Sequence, residues 1–177
     1  MFRIPTLTLV GRVAAEALAF AHMDTAVTQV GDPVDDDPSA ALRRVHALYD
    51  LTARLAQATD LDQVARVVVE GVCAALGAPC CALYERCGPD ALAMVASQGL
   101  AADTTARLQR IPLSSELPLT VAVREGRVFW LPTHASLLAA FPRLRDAETP
   151  TQFLQAVVAL PLTVGDTNVG GLAFSFA

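Results

Sequence analysis

The stretch FLQAVVALPLTVGDTNVGGLAFSF, residues 153–176, decides the fold. It contains two apolar, β-rich runs, 153–163 and 168–176, separated by Gly165-Asp166-Thr167, which is turn chemistry. Two strands joined by so short a link pair as an antiparallel hairpin. In the second run Leu172, Phe174 and Phe176 share one face by alternation. Gly170-Gly171 removes side chains where a helix or a ligand comes close. Pro161 has no amide donor, so the first strand is an edge or carries a bulge at that point.

Upstream, residues 80–86 and 92–97 repeat the β-type composition, with Cys87-Gly88-Pro89-Asp90 between them as a turn, and predict a second antiparallel hairpin. Between the hairpins lies a longer excursion. Ile111-Pro112-Leu113 reads as extended, and residues 117–125 read as a short helix opened near Pro118 and stopped by Gly126. A strand follows over 127–131. Residues 132–150 are polar and broken yet hold Leu137, Leu138, Phe141 and Leu144, which predicts a covering loop.

Two helices precede the sheet. Asp37 can cap the first, and Pro38 just inside costs nothing because its missing donor would be unpaired anyway. Leu42, Val45, Leu48, Tyr49, Leu51 and Leu55 then recur at helical spacing, a stripe wide enough for two neighbours. Asp60 with Gln63 three residues on resembles a capping box for the second helix, and Gly77 supplies its left-handed stop. The breakers and like charges of residues 31–38 place a boundary there, leaving an arm and linker at 1–37 and a domain at 38–177.

Composition narrows the function classes. With 53% hydrophobic and 18% charged residues in 177, the chain is globular and of one-domain size. A net charge of -5 without a basic cluster argues against nucleic acid as a partner. There is no lysine, which removes Schiff-base chemistry and the P-loop amine. Cys73, Cys80, Cys81 and Cys87 fall close together without a C-x-x-C pair, and the histidines are His22, His46 and His134. That pattern favours thiols in a reducing, cytoplasmic compartment over a disulfide framework or a closed zinc site. Cys80 and Cys81 are neighbours on a strand, so their side chains point to opposite faces and one would face a pocket. Arg12 and Glu16 interrupt the apolar N-terminal segment and argue against a signal peptide despite Ala19-Phe20-Ala21. A membrane span is too short there, and no membrane contact is expected.

The order helix, helix, hairpin, excursion, strand, covering loop and terminal hairpin resembles the GAF family of sensory domains. Six segments carry the resemblance: Leu61-Asp62-Gln63-Val64; Ala96-Ser97-Gln98-Gly99-Leu100; Ile111-Pro112-Leu113; residues 119–127; Val158-Ala159-Leu160-Pro161-Leu162; and Gly170-Gly171-Leu172-Ala173-Phe174. It implies an α+β fold, an antiparallel sheet of about six strands with helices packed on one face and a pocket under the covering loop on the other. It also implies a non-catalytic signal-sensing piece of a larger bacterial protein, such as a sensor histidine kinase. The partners expected are a small-molecule ligand and a second copy of the chain, in a homodimer through Leu42, Val45 and Tyr49.

Met94, Phe129, Trp130, His134, Leu138 and Phe141 are the ligand-binding candidates, since aromatic walls and one imidazole suit a planar ligand. No catalytic residue and no metal ligand is expected. The asparagine, lysine, phenylalanine and acidic-pair signature of cyclic-nucleotide relatives does not occur here. Nor does the aspartate-isoleucine-proline motif of bilin carriers, because Arg110 precedes Ile111-Pro112. Two alternatives remain: a thiol-dependent reductase on the same fold, whose family cysteines fall in a region, 127–150, that holds none here, and a ligand-free dimerisation module.

Overall fold

Asp60 and Gly77 bound the second of the two expected helices as their chemistry requires. The structure, a computed structural model, describes residues 59–146 and 155–176 together with isolated helical positions between 42 and 57. The arm and linker at 1–37, the start at Asp37-Pro38, and Val45 lie outside the described residues. Helix α1 is Leu61–Leu76. The Asp60 carboxylate accepts the Gln63 amide at 2.8 Å, a cap of about 1 kcal/mol. The returning half of the box lands one residue earlier than expected, with Gln63 Oε1 accepting the Thr59 amide at 3.2 Å. Gly77 closes the helix at φ 63, a left-handed geometry that costs glycine little. Ala65, Val68, Val69, Val72 and Cys73 form its buried stripe. This helix belongs to a compact unit ending at Gly77, and a second unit begins at Ala78.

The second unit is built on one six-stranded antiparallel sheet. Its strands are β1 (Cys80–Cys87), β2 (Ala91–Gln98), β3 (Arg110–Pro112), β4 (Phe129–Leu131), β5 (Ala156–Val164) and β6 (Thr167–Phe176), in the order β3-β2-β1-β6-β5-β4. Both expected hairpins are present, and the terminal one turns on Gly165 and Asp166, with Thr167 already in β6. Pro161 satisfies the edge reading of its missing donor, and the expected bulge falls just after it. It lies beyond the Phe129↔Ala159 pair, so β5 has no neighbour in β4 there, and the β5–β6 register shifts between Leu162 and Thr163.

Register across the three central strands separates large from small side chains. Leu83, Leu172 and Leu160 are cross-strand partners, as are Ala82, Ala173 and Ala159. Because side chains alternate faces, one face carries a row of leucines and the other a row of alanines. The leucine face also holds Val158, Leu162 and Phe174, all buried.

Helix α3 (Pro118–Glu125) packs on the alanine face, and Gly126 stops it at φ 67. A Cβ on Gly171 would stand 2.6 Å from both Leu119 Cδ1 and Val123 Cγ2, so the double glycine admits a helix at this point. Gly170 admits a strand instead, because its Cβ would collide with the Tyr84 carbonyl of β1. Asn168 Nδ2 donates to the Val123 carbonyl at 2.6 Å and ties the end of α3 to β6.

Two helices were not foreseen. Residues 102–108 form α2 (Ala102–Leu108), which has no side-chain cap and carries the β-branched pair Thr104 and Thr105. The expected covering loop at 132–150 contains α4 (His134–Ala140) and a 3-10 turn, Pro142–Asp146. Residues 147–150 lie outside the described residues. Thr133 caps α4, its hydroxyl accepting the Ser136 amide at 3.1 Å while Ser136 Oγ accepts the Thr133 amide at 3.1 Å. The strand expected from Arg127 begins at Phe129, and the terminal hairpin's first strand begins at Ala156.

Candidate functional site

On the alanine face, small side chains leave room. A cavity of about 400 Å³ opens above Ala82 and Ala173, walled by α2, by the start of α3 and by Leu137 and Leu144 from α4 and the turn after it. Each wall follows from the local sequence. Three successive cross-strand pairs run along its floor: Cys80↔Ser175, Ala82↔Ala173 and Tyr84↔Gly171. Over the last of these Leu119 and Val123 fill the space that glycine vacates, so the cavity closes there. Ala82 and Ala173 themselves line the cavity.

The lining is chemically one-sided. Leu100, Leu108, Ile111, Leu117, Leu119 and Val157 supply apolar walls. The polar side chains among its lining residues are those of Thr104, Ser175, Cys80 and Tyr84. Among the described residues no carboxylate, guanidinium or imidazole lines it.

Two of these polar groups are engaged. Tyr84 Oη donates to the Leu108 carbonyl at 3.1 Å, and Cys80 Sγ donates to the Gly99 carbonyl at 3.1 Å. Burial pushes the Tyr84 phenol well above its ordinary range, so it stays protonated at any physiological pH. By alternation Cys80 shares its face with Ala82 and Tyr84, whereas Cys81 lies with Leu83 on the other.

None of the six ligand-binding candidates lines this cavity. Met94 is buried in a cluster with Tyr84, Leu92 and Ile111. Phe129 and Phe141 meet edge to face, ring centres 5.4 Å apart, in a neighbouring cluster against which Leu138 packs. Arg127 lies over the Phe129 ring at 4.2 Å. Trp130 is 42% exposed on the edge strand, and His134 is the half-buried first residue of α4. Met94, Phe129, Leu138 and Phe141 form the packing beside the cavity, with its walls contributed by aliphatic and small residues instead. The alternation Ala-Leu, Leu-Ala and Ala-Leu at 82–83, 172–173 and 159–160 was the signal that could have located the floor.

Among the described residues no group of three metal-ligating side chains is gathered, and no helix is long and apolar enough to cross a membrane. Of the proposed dimer residues, Leu42 is 56% and Tyr49 76% exposed.

Comparison with known proteins extends these observations. The GAF domain family model matches residues 60–176. No curated protein matches the chain. Among solved structures, the GAF domain of a phosphoenolpyruvate-protein phosphotransferase from Coxiella burnetii superposes with a TM-score of 0.59 at 19% identity, covering 76% of this chain and 78% of that one. The GAF domain of the Acinetobacter phosphoenolpyruvate-protein phosphotransferase gives 0.58 at 14%, covering 75% of each. Free methionine-R-sulfoxide reductase from Neisseria meningitidis, in complex with its substrate, gives 0.58 at 20%, covering 82% and 78%. At such identities the structural likeness speaks to fold alone. The family match spans more than half of the chain, on the strand order and helices described above, and this protein therefore belongs to the GAF domain family of sensory and regulatory domains.

Proposed function

We propose that the chain is a non-catalytic sensor that binds a small molecule in the cavity above Ala82 and Ala173 and relays its presence to an output domain such as a histidine kinase. The observation that carries this reading is the cavity itself. Its volume of about 400 Å³ lies in the range of ligand sites, and its walls belong to four separate elements whose spacing a guest would fix. A ligand that binds only when the walls are closed shifts the population toward that state by its differential affinity. The relay runs through a homodimer, for which the exposed Leu42 and Tyr49 supply apolar surface. A cytoplasmic location fits the chain's four thiols.

The test is a melting-temperature screen of the purified chain against metabolites, repeated on Thr104→Phe, which fills the cavity from a surface helix. A sensor gives a ligand that raises Tm in the parent and not in the filled variant. Sedimentation of the chain and of Tyr49→Arg tests the dimer, which the charge would dissociate.

A second reading, a thiol-dependent reductase, is favoured by one observation: the Cys80 thiol lines the cavity. Turnover of free methionine sulfoxide with a thioredoxin system, abolished in Cys80→Ser, would establish it in place of the sensor.

A further inference from the structure

We infer that the cavity selects an uncharged, mainly hydrocarbon molecule with a single hydrogen-bonding end, which lies with that end at Cys80 and Ser175. This deepens the sensor reading and rests on it. The lining argues by what it offers and to whom. A charged head seated on this floor gives up part of its water, and burial of an unpaired charge is costly without a counter-charge or several donors. Among the lining side chains, Tyr84 and Cys80 already spend their hydrogens on the carbonyls of Leu108 and Gly99, which leaves the hydroxyls of Thr104 and Ser175. Two hydroxyls can serve one alcohol, carbonyl or ether; they do not replace the hydration of a phosphate or an ammonium.

Polarity is also graded along the floor. Cys80↔Ser175 forms a polar pair at one end, Ala82↔Ala173 an apolar pair in the middle, and Tyr84↔Gly171 is closed by Leu119 and Val123. An elongated guest therefore has one orientation, its head on the Ser175 hydroxyl and its tail toward Leu119 and Ile111. Apolar walls reward each buried methylene by about fourfold in affinity.

The experiment is isothermal titration and melting of the whole chain with hexanol, octanol and decanol, with octanoate and octylammonium, and with cyclic GMP. Each added pair of methylenes should tighten binding by about an order of magnitude until the cavity is full. Octanoate and octylammonium should bind at least about a hundredfold more weakly than octanol. Ser175→Ala should weaken octanol several-fold, and Thr104→Phe should abolish it while the chain still melts cooperatively.

If a charged compound raises Tm in the parent and not in Thr104→Phe, the sensor reading stands and the neutral-ligand assignment falls. If octanol and octanoate bind equally, the assignment falls likewise. If no compound binds and Thr104→Phe raises Tm on its own, the cavity is a packing gap and both readings fall.

Discussion

Tyr84, on the sheet, donates its hydroxyl to the carbonyl of Leu108, the last residue of α2, at 3.1 Å. This bond joins floor to wall, in a helix that buries none of its own residues. Tyr84→Phe removes it and leaves a carbonyl at the end of α2 without that donor, at a cost of about 1 kcal/mol. Urea unfolding of the two chains measures the loss, and amide exchange should rise in α2 more than in β1.

The same phenol sets an alkaline limit. Its pKa is raised by burial, so the folded state holds the proton more tightly than the unfolded state, whose phenol titrates near 10. The contribution is complete below about pH 10 and is lost as pH rises through that value toward the folded one. The chain has no lysine to titrate in this window. Stability should fall above about pH 10 with a slope approaching 1.4 kcal/mol per unit, and Tyr84→Phe should flatten that slope in parallel unfolding curves.

The double glycine predicts an order of severity. In Gly171→Ala the new methyl meets the ends of two side chains, Leu119 and Val123, which can yield, at a cost of about 1–3 kcal/mol. In Gly170→Ala it meets the Tyr84 carbonyl and the Glu85 Cα, and backbone in a central strand has nowhere to go. Gly170→Ala should lower Tm well beyond Gly171→Ala, and an equal loss in both would contradict the register described.

Asn168→Ala should release the C-terminus of α3 from β6. The lost bond to the Val123 carbonyl is worth about 1 kcal/mol by chemical denaturation. The amide of Arg127, which donates to Ala122 at 3.2 Å, should exchange faster as the helix end frays.

Thr133→Ala removes the hydroxyl that caps α4, for about 1 kcal/mol. Leu137 reaches the cavity from that helix, so octanol affinity should fall along with stability. Thr133→Ser, which keeps the acceptor, should restore both.

How much of this was legible follows from where the chemistry is local. Asp60 and Gly77 announce α1, the turns at residues 88–90 and 165–166 announce both hairpins, and the Gly170-Gly171 pair announces a close approach. Helix α2 is hidden in the sequence because Thr104 and Thr105 disfavour helix and Ala101 cannot cap it; the Tyr84 bond to the Leu108 carbonyl and the packing of Leu108 on the core override that preference. Helix α4 was hidden because its capping box returns through Ser136, where glutamate or glutamine is the usual sign.

The six ligand-binding candidates lie outside the cavity for a different reason. Aromatic and imidazole side chains were sought as ligand contacts, yet in the folded chain Phe129 and Phe141 pack on each other, and space is created where side chains are small. A row such as Ala82, Ala173 and Ala159 exists only once three strands are in register, and no single segment displays it.

The most direct test is to watch the alanine methyl groups by carbon-13 NMR while octanol is added. A guest above the sheet should give nuclear Overhauser contacts from its chain to the methyls of Ala82 and Ala173, and to Leu108 and Ile111, with the rings of Trp130 and Phe141 silent. Contacts confined to Trp130, His134 and Phe141, with the two alanine methyls unmoved, would contradict the account.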